Sequence, residues 1–107
     1  MKDMDGHMTT IVETDQGARI TCAANLQVAD VAALWRTLQP LLAAPPTALA
    51  VDTSQVRRID AAAVQAFAVL ARDLRMAGCA VHWDACSAEW SSAVELTGMT
   101  GMLDATP

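Results

Sequence analysis

Tyrosine is absent from this chain, phenylalanine occurs once, and Lys2 is the sole lysine. Seven basic residues stand against twelve acidic ones, for a formal net charge of -5. Only Arg57 and Arg58 are adjacent. A nucleic-acid surface needs clustered cations to neutralise phosphates, so no nucleic-acid partner is expected. Cysteine is scarce and unpaired in sequence: Cys22, Cys79 and Cys86 form no CxxC and are odd in number. That excludes a disulfide framework and a zinc site, and reads as three small buried hydrophobes in a reducing cytoplasm. No apolar run reaches membrane-spanning length, so direct membrane insertion is not expected. The opening "MKDMDGHM" has no apolar stretch after Lys2 and is not a signal peptide. Residues 1–8 read as a disordered leader, an expression remnant, or the segment before an alternative start at Met8. Neither GxGxxG nor GxxxxGK[ST] occurs, so no nucleotide cradle and no cofactor are expected.

What is present is alanine and aliphatic residues. The 107 residues are one domain's worth, and 53% of them are hydrophobic. Residues 9–107 are expected to form that single domain. "TTIVETD" (Thr9–Asp15) and "ARITCAA" (Ala18–Ala24) alternate in polarity around Gln16–Gly17, the pattern of a β-hairpin. In "VADVAALWRTLQPLL", Val31, Leu34, Trp35, Leu38 and Leu42 recur at helical spacing. Pro40 lacks an N–H and crowds the preceding turn, which predicts a kink or a helix end near Gln39. "TALAVDTS" (Thr47–Ser54) is a continuous apolar run, as in a strand that is central or covered on both faces. "VRRID" extends or follows it as a short strand or bend.

Asp60 then stands where a helix N-cap belongs, its carboxylate expected to accept the N–H groups two and three residues on. The helix is predicted from about Ala61 to Ala77, with Val64, Phe67, Leu70, Ala71 and Leu74 as its apolar stripe and Gly78 as its C-cap. "CAVHWDA" is a strand with Val81 and Trp83 on one face and Ala80, His82 and Asp84 on the other, His82 half-buried. Ser87 caps a last helix, Ala88–Leu96, which Gly98 ends before a short docking turn. The order β-β-α-β-α-β-α predicts an α/β layer fold with parallel crossovers after a hairpin: a four- to five-stranded mixed sheet with helices packed mainly on one side.

The second half, "ALAVDTSQVRRIDAAAVQAFAVLARDLRMAGCAVHW", resembles the STAS domain family of anti-sigma factor antagonists. Family members carry an apolar strand ending in D-L-S, then hD-S/T-x-G-L, a helix, a glycine and another apolar strand. Here "VDTS" (Val51–Ser54), "IDAAAV" (Ile59–Val64) and "AGCAVHW" match in turn, and "SAEWSSAVELTGMTGML" resembles the family's last helix. The resemblance covers about Thr9 to Leu103. It implies a STAS-like fold and a bacterial, cytoplasmic, non-catalytic role in signal transduction and transcription regulation. In switchable members a partner kinase phosphorylates the Ser or Thr after the aspartate, which breaks the complex. Ala61 stands at that position and Ala63 replaces the usual glycine. An alanine has no hydroxyl to phosphorylate. The turn reads as a contact surface that has kept its shape and lost its switch.

The residues expected to meet a partner are Asp60, Ala61, Ala62, Val64 and Gln65, with Asp52, Ser54 and Trp90 as further candidate contacts. Thr53 and Ser54 are the nearest hydroxyls for a displaced phosphosite, although strand-end hydrogen bonding explains both. Trp35, Trp83 and Trp90 are core or interface anchors, and Trp90, among Glu89, Ser91 and Ser92, is the first candidate for exposure. A catalytic set of His82, Ser54 and Asp60 or Asp84 lacks any elbow motif, and no catalytic residue is assigned. The resemblance implies a protein partner of histidine-kinase fold, as anti-sigma factors have, or a chemotaxis-like complex. It implies as an alternative an accessory subunit beside the ATPase of a phospholipid-transporting ABC transporter. A small-ligand sensor with a pocket between sheet and helices is a third reading, and a homodimer is compatible with any of them.

Overall fold

The computed structural model describes residues 9–15 and 17–99. The leader, Gln16 of the hairpin turn and the tail after Met99 lie outside the described residues. Strands β1 (Thr10–Thr14) and β2 (Gly17–Thr21) form the expected hairpin, paired from Thr10↔Thr21 to Thr14↔Gly17. Then come β3 (Asn25–Leu26), a 3-10 turn (Val28–Asp30), α1 (Val31–Ala43), β4 (Ala48–Thr53), β5 (Arg58–Ile59), α2 (Ala61–Met76), β6 (Ala80–Cys86) and α3 (Ala88–Leu96). The main sheet is four-stranded and mixed, in the order β1-β2-β4-β6, with β2, β4 and β6 parallel. β3 and β5 make a separate two-stranded parallel sheet. "VRRID" is thus a short strand of that second sheet.

One core holds the layers together. Ala18, Ile20, Leu49, Val51 and Trp83 point from the main sheet into a buried cluster with Leu34, Leu38, Leu41, Phe67, Leu70, Leu74, Trp90 and Val94 from the helices. β4 is central, yet it is covered on one face only: Leu49, Val51 and Thr53 are buried, whereas Ala48, Ala50 and Asp52 are partly open. The run is apolar throughout because alanines fill the open face, where a methyl group costs little in water.

Pro40 does not end α1. The helix runs through it to Ala43, because Leu38 and Leu41 are buried on either side and the missing N–H falls near the last turn, where few bonds remain to lose. α2 ends as expected: Gly78, at φ 92°, lets its own amide reach the Arg75 carbonyl (3.0 Å) and the Cys79 amide reach that of Leu74 (2.9 Å). Ser87 caps α3, its hydroxyl accepting the Trp90 amide at 3.0 Å.

Gly17 is where the chain tolerates no side chain. A Cβ there would lie 2.3 Å from the Ala48 carbonyl oxygen, and φ is +142°. Gly17→Ala is expected to destabilise the fold by about 2 kcal/mol in urea unfolding, since backbone must move to admit the methyl.

Candidate functional site

The parallel strands β2, β4 and β6 all end at one edge of the sheet, and the loops that leave them form a single surface. In open α/β sheets that carboxyl edge gathers functional loops. Val56, fully buried, pins the loop after β4 to the core. The amides of Arg57 and Arg58 both donate to the Ala24 carbonyl (2.9 and 3.1 Å), and the Asp60 amide donates to that of Leu26 (3.0 Å). These bonds stitch the loop after β4 to the loop after β2.

Asp60 occupies the N-cap position of α2, and its carbonyl accepts the amides of Ala63 (3.0 Å) and Val64 (3.3 Å). Its carboxylate does not cap the helix. It accepts instead from the Val28 amide at 2.8 Å, across the loop junction. The expected cap bond loses because extended backbone at Asp60 (φ -105°, ψ 160°) and the β3–β5 pairing bring the 3-10 turn within reach of the side chain. The first amides of any helix have no intrahelical partner, so those of Ala61 and Ala62 begin α2 without a bond inside it.

Around Asp60 the surface is small and weakly polar. Ala61 and Gln65 are exposed, Asp60 and Ala62 half-buried, and Val28 beside them is 66% exposed. Val64 is fully buried and belongs to the core; it cannot touch a partner. The reason is the 3.6-residue period, which turns position 64 inward with Ala63, Phe67 and Ala71. Sequence reasoning missed Val28. Its position off the Val31–Leu34–Leu38 stripe is the trace it leaves. Ser54, Gln55 and Arg57 form an exposed rim, with Arg57 at 3.9 Å from Glu89, a solvent-screened pair of little energetic weight.

Asp52 ties this rim to the open face of the sheet. One carboxylate oxygen accepts the Ser54 amide (2.9 Å) and the Ser54 hydroxyl (2.6 Å). The other accepts Arg19 at 3.1 Å, and Arg19 also binds Asp84. The Ser54 hydroxyl and amide, helped by Arg19 and opposed by partial burial, hold the Asp52 carboxyl below its usual range. Asp84 reaches Arg19 because β6 bulges there: Val51 pairs with Trp83, but Asp52 with Ala85.

Several candidates separate. Trp90 has no exposed surface; it packs edge-on to Phe67 (5.5 Å between centroids) and beside Trp83 (5.3 Å), so it is core and not a contact. Its polar neighbours in sequence face away on the other side of α3. Thr53 is buried with its hydroxyl donating to the Ala85 carbonyl (3.1 Å), which removes it as a phosphosite. His82 is exposed on the open face opposite Ala50, rather than half-buried, because no described helix covers that side. No described hydrogen bond joins it to Ser54, Asp60 or Asp84. Cys22 and Cys79 are buried and Cys86 is half-buried; burial pushes all three thiols up, which keeps them protonated and unreactive. Among the described residues no group of three or more His, Cys, Asp or Glu could hold a metal ion.

A cleft of about 100 Å³, lined in part by Ala23, Asn25, Leu34 and Thr37, opens beside α1. A shallower one of about 340 Å³ opens on the bare face of the sheet beside Arg19, Ala50 and His82, at the low end of the roughly 300–1,000 Å³ of small-molecule sites. No described helix is long and apolar enough to cross a membrane.

Residues 9–104 match the family model described as Mlab, STAS domain. The fold is similar to the crystal structure of an anti-sigma factor antagonist from Mycobacterium paratuberculosis, with a TM-score of 0.76 at 16% identity, over 94% of this chain and 85% of that one. No curated protein matches the chain.

The Asp52 network has a signed pH dependence. A carboxyl whose pKa is lower folded than unfolded adds stability that is present above the unfolded value, about 3.9, and lost as pH falls through the folded one. Urea unfolding between about pH 5 and about pH 2.5 should show a shallower loss of stability in Asp52→Asn than in the parent. Equal slopes would mean that Asp52 is unpaired in solution.

Proposed function

The chain belongs to the STAS domain family, and we propose that it is a non-catalytic protein-interaction module of the anti-sigma factor antagonist type, docking through the Asp60 edge. The observation that supports this is the edge itself. A 16-residue helix starts at an exposed, methyl-lined turn, and hydrogen bonds from two loops hold that turn in place. Ala61 and Ala62 let a partner's backbone approach closely, Gln65 and the first helix amides offer hydrogen bonds, and Val28 adds apolar area. The partner that suits this surface is a protein of histidine-kinase fold, or a component of a chemotaxis-like complex, in the cytoplasm.

This edge is not switched by phosphorylation at the usual position. A phosphate on the first turn of a helix would bring nearly two negative charges to the contact surface, and Ala61 offers no atom to carry it. The same feature favours a second reading, an accessory subunit held permanently against the ATPase of a phospholipid-transporting ABC transporter. A contact that is never released needs no hydroxyl.

Affinity capture from native lysate distinguishes the two by the fold of the retained protein. Ala61→Glu is expected to cut capture at least about tenfold, equal to roughly 1.4 kcal/mol. A carboxylate at a helix start suits the dipole, so the fold should survive the change. Leu96→Glu, at a side chain 87% exposed on α3, should leave capture intact. Intact-mass analysis after incubation with the captured partner and ATP should show no phosphate within residues 60–64. Undiminished capture by Ala61→Glu would place the contact elsewhere.

A further inference from the structure

The two edges of the main sheet are built differently. At the β6 edge the strand bulges at Asp84, and the Arg75 guanidinium donates to the Val81 carbonyl at 3.1 Å. Bulges and covering side chains are the usual means of keeping an edge from pairing. At the other edge, β1 reads Thr-Ile-Val-Glu-Thr, four β-branched residues in five, with no lysine, proline or glycine. It follows β2 residue for residue with no register shift, and among the described residues it pairs with β2 alone. Val12, at its centre on the open face, is 58% exposed.

We propose that β1 pairs antiparallel with β1 of a second copy of this chain, about a two-fold axis at Val12, joining two four-stranded sheets into one of eight. The strand is self-complementary in that register. Val12 meets Val12 of the second copy, Thr10 meets Thr14, and Ile11 meets Glu13, so the one ionised side chain of β1 faces an aliphatic one. Like charges directly opposite destabilise a strand pair. Centring the axis on Glu13 would set two carboxylates face to face, and centring it on Ile11 would leave Thr14 without an opposing residue of the strand. Val12 also lies beside Arg19 in the β1–β2 register, so the paired valines are flanked on the open face by guanidinium stems from both copies.

A five-residue strand is about 17 Å long, so the interface falls below the roughly 1,200 Å² of a standard complex. The dimer is a weak one, in exchange with monomer in the micromolar range, and because each copy carries a net charge of -5, added salt strengthens it.

Sedimentation velocity across micromolar concentrations tests this together with diamide oxidation of cysteine variants. The parent chain should move from monomer to dimer as concentration rises, and more readily at higher salt. Val12→Lys sets two cations on the axis and should weaken the dimer at least tenfold. Val12→Cys should crosslink to a covalent dimer on oxidation, whereas Val28→Cys, exposed at the Asp60 edge, should not. The crosslink reads the geometry even where Val12→Lys perturbs the fold. A parent chain monomeric throughout, a dimer indifferent to Val12→Lys, or crosslinking as efficient from Val28→Cys as from Val12→Cys would each overturn the proposal.

Discussion

The Asp60 carboxylate binds an amide in another loop rather than an amide of its own helix, and the shape of the carboxyl edge depends on that choice. Asp60 holds the loop after β2 at two points: its amide donates to the Leu26 carbonyl, and its carboxylate accepts the Val28 amide. Gln27 is bracketed between them. The 3-10 turn is thereby fixed against the start of α2, and Val28 is presented beside Ala61 and Ala62. A charge-assisted hydrogen bond at a partly exposed site adds only about 1 kcal/mol to stability. In the docking role proposed above, its larger effect is to order the surface in advance, so that less entropy is lost on binding.

Asp52 extends the same logic across the sheet. It is the strand-end residue whose side chain serves both the Ser54 turn and the Arg19–Asp84 pair on the open face. The β6 bulge that admits Asp84 to this group also leaves Cys86 opposite Thr53, facing the interior. The edge therefore rests on polar bonds that lock its two loops, above a core of aliphatic and aromatic packing that locks the helices. At the start of α2 this frame carries only the methyl groups of Ala61 and Ala62. The N-cap aspartate, and not the residue after it, carries the hydrogen bonds that hold the turn, so the turn keeps its shape with alanine at position 61.

Most of the architecture was legible in the sequence because its periods are clean. Alternation marked β1, β2 and β6, and helical spacing marked α1 and α2. Gly78 and Ser87 marked a helix end and a helix start where the bonds are found. What was not legible depends on contacts between distant segments. The partner of the Asp60 carboxylate lies 32 residues away. The two-residue strand β3 is too short to carry a period of its own, and β5 showed only as a short strand or bend. Of the two outcomes expected at Pro40, a kink or a helix end, the end does not occur, because the burial of Leu38 and Leu41 outweighs the local sterics. For Trp90 the polar neighbours point to the surface and the bulk of the ring to the core; a nine-residue helix packed on a sheet turns only a narrow face inward, and the large aromatic takes it. Val64 was placed both on the apolar stripe of α2 and among the partner contacts, and its full burial sides with the stripe.

Hydrogen exchange at the Val28 amide tests the central claim most directly. In the parent chain this amide, in an exposed three-residue turn, should exchange slowly, because the Asp60 carboxylate holds it. In Asp60→Ala it should exchange at the rate of an open loop, while Ile20 in the core sheet keeps its protection. A Val28 amide that exchanges freely in the parent, or one equally protected in Asp60→Ala, would contradict the account.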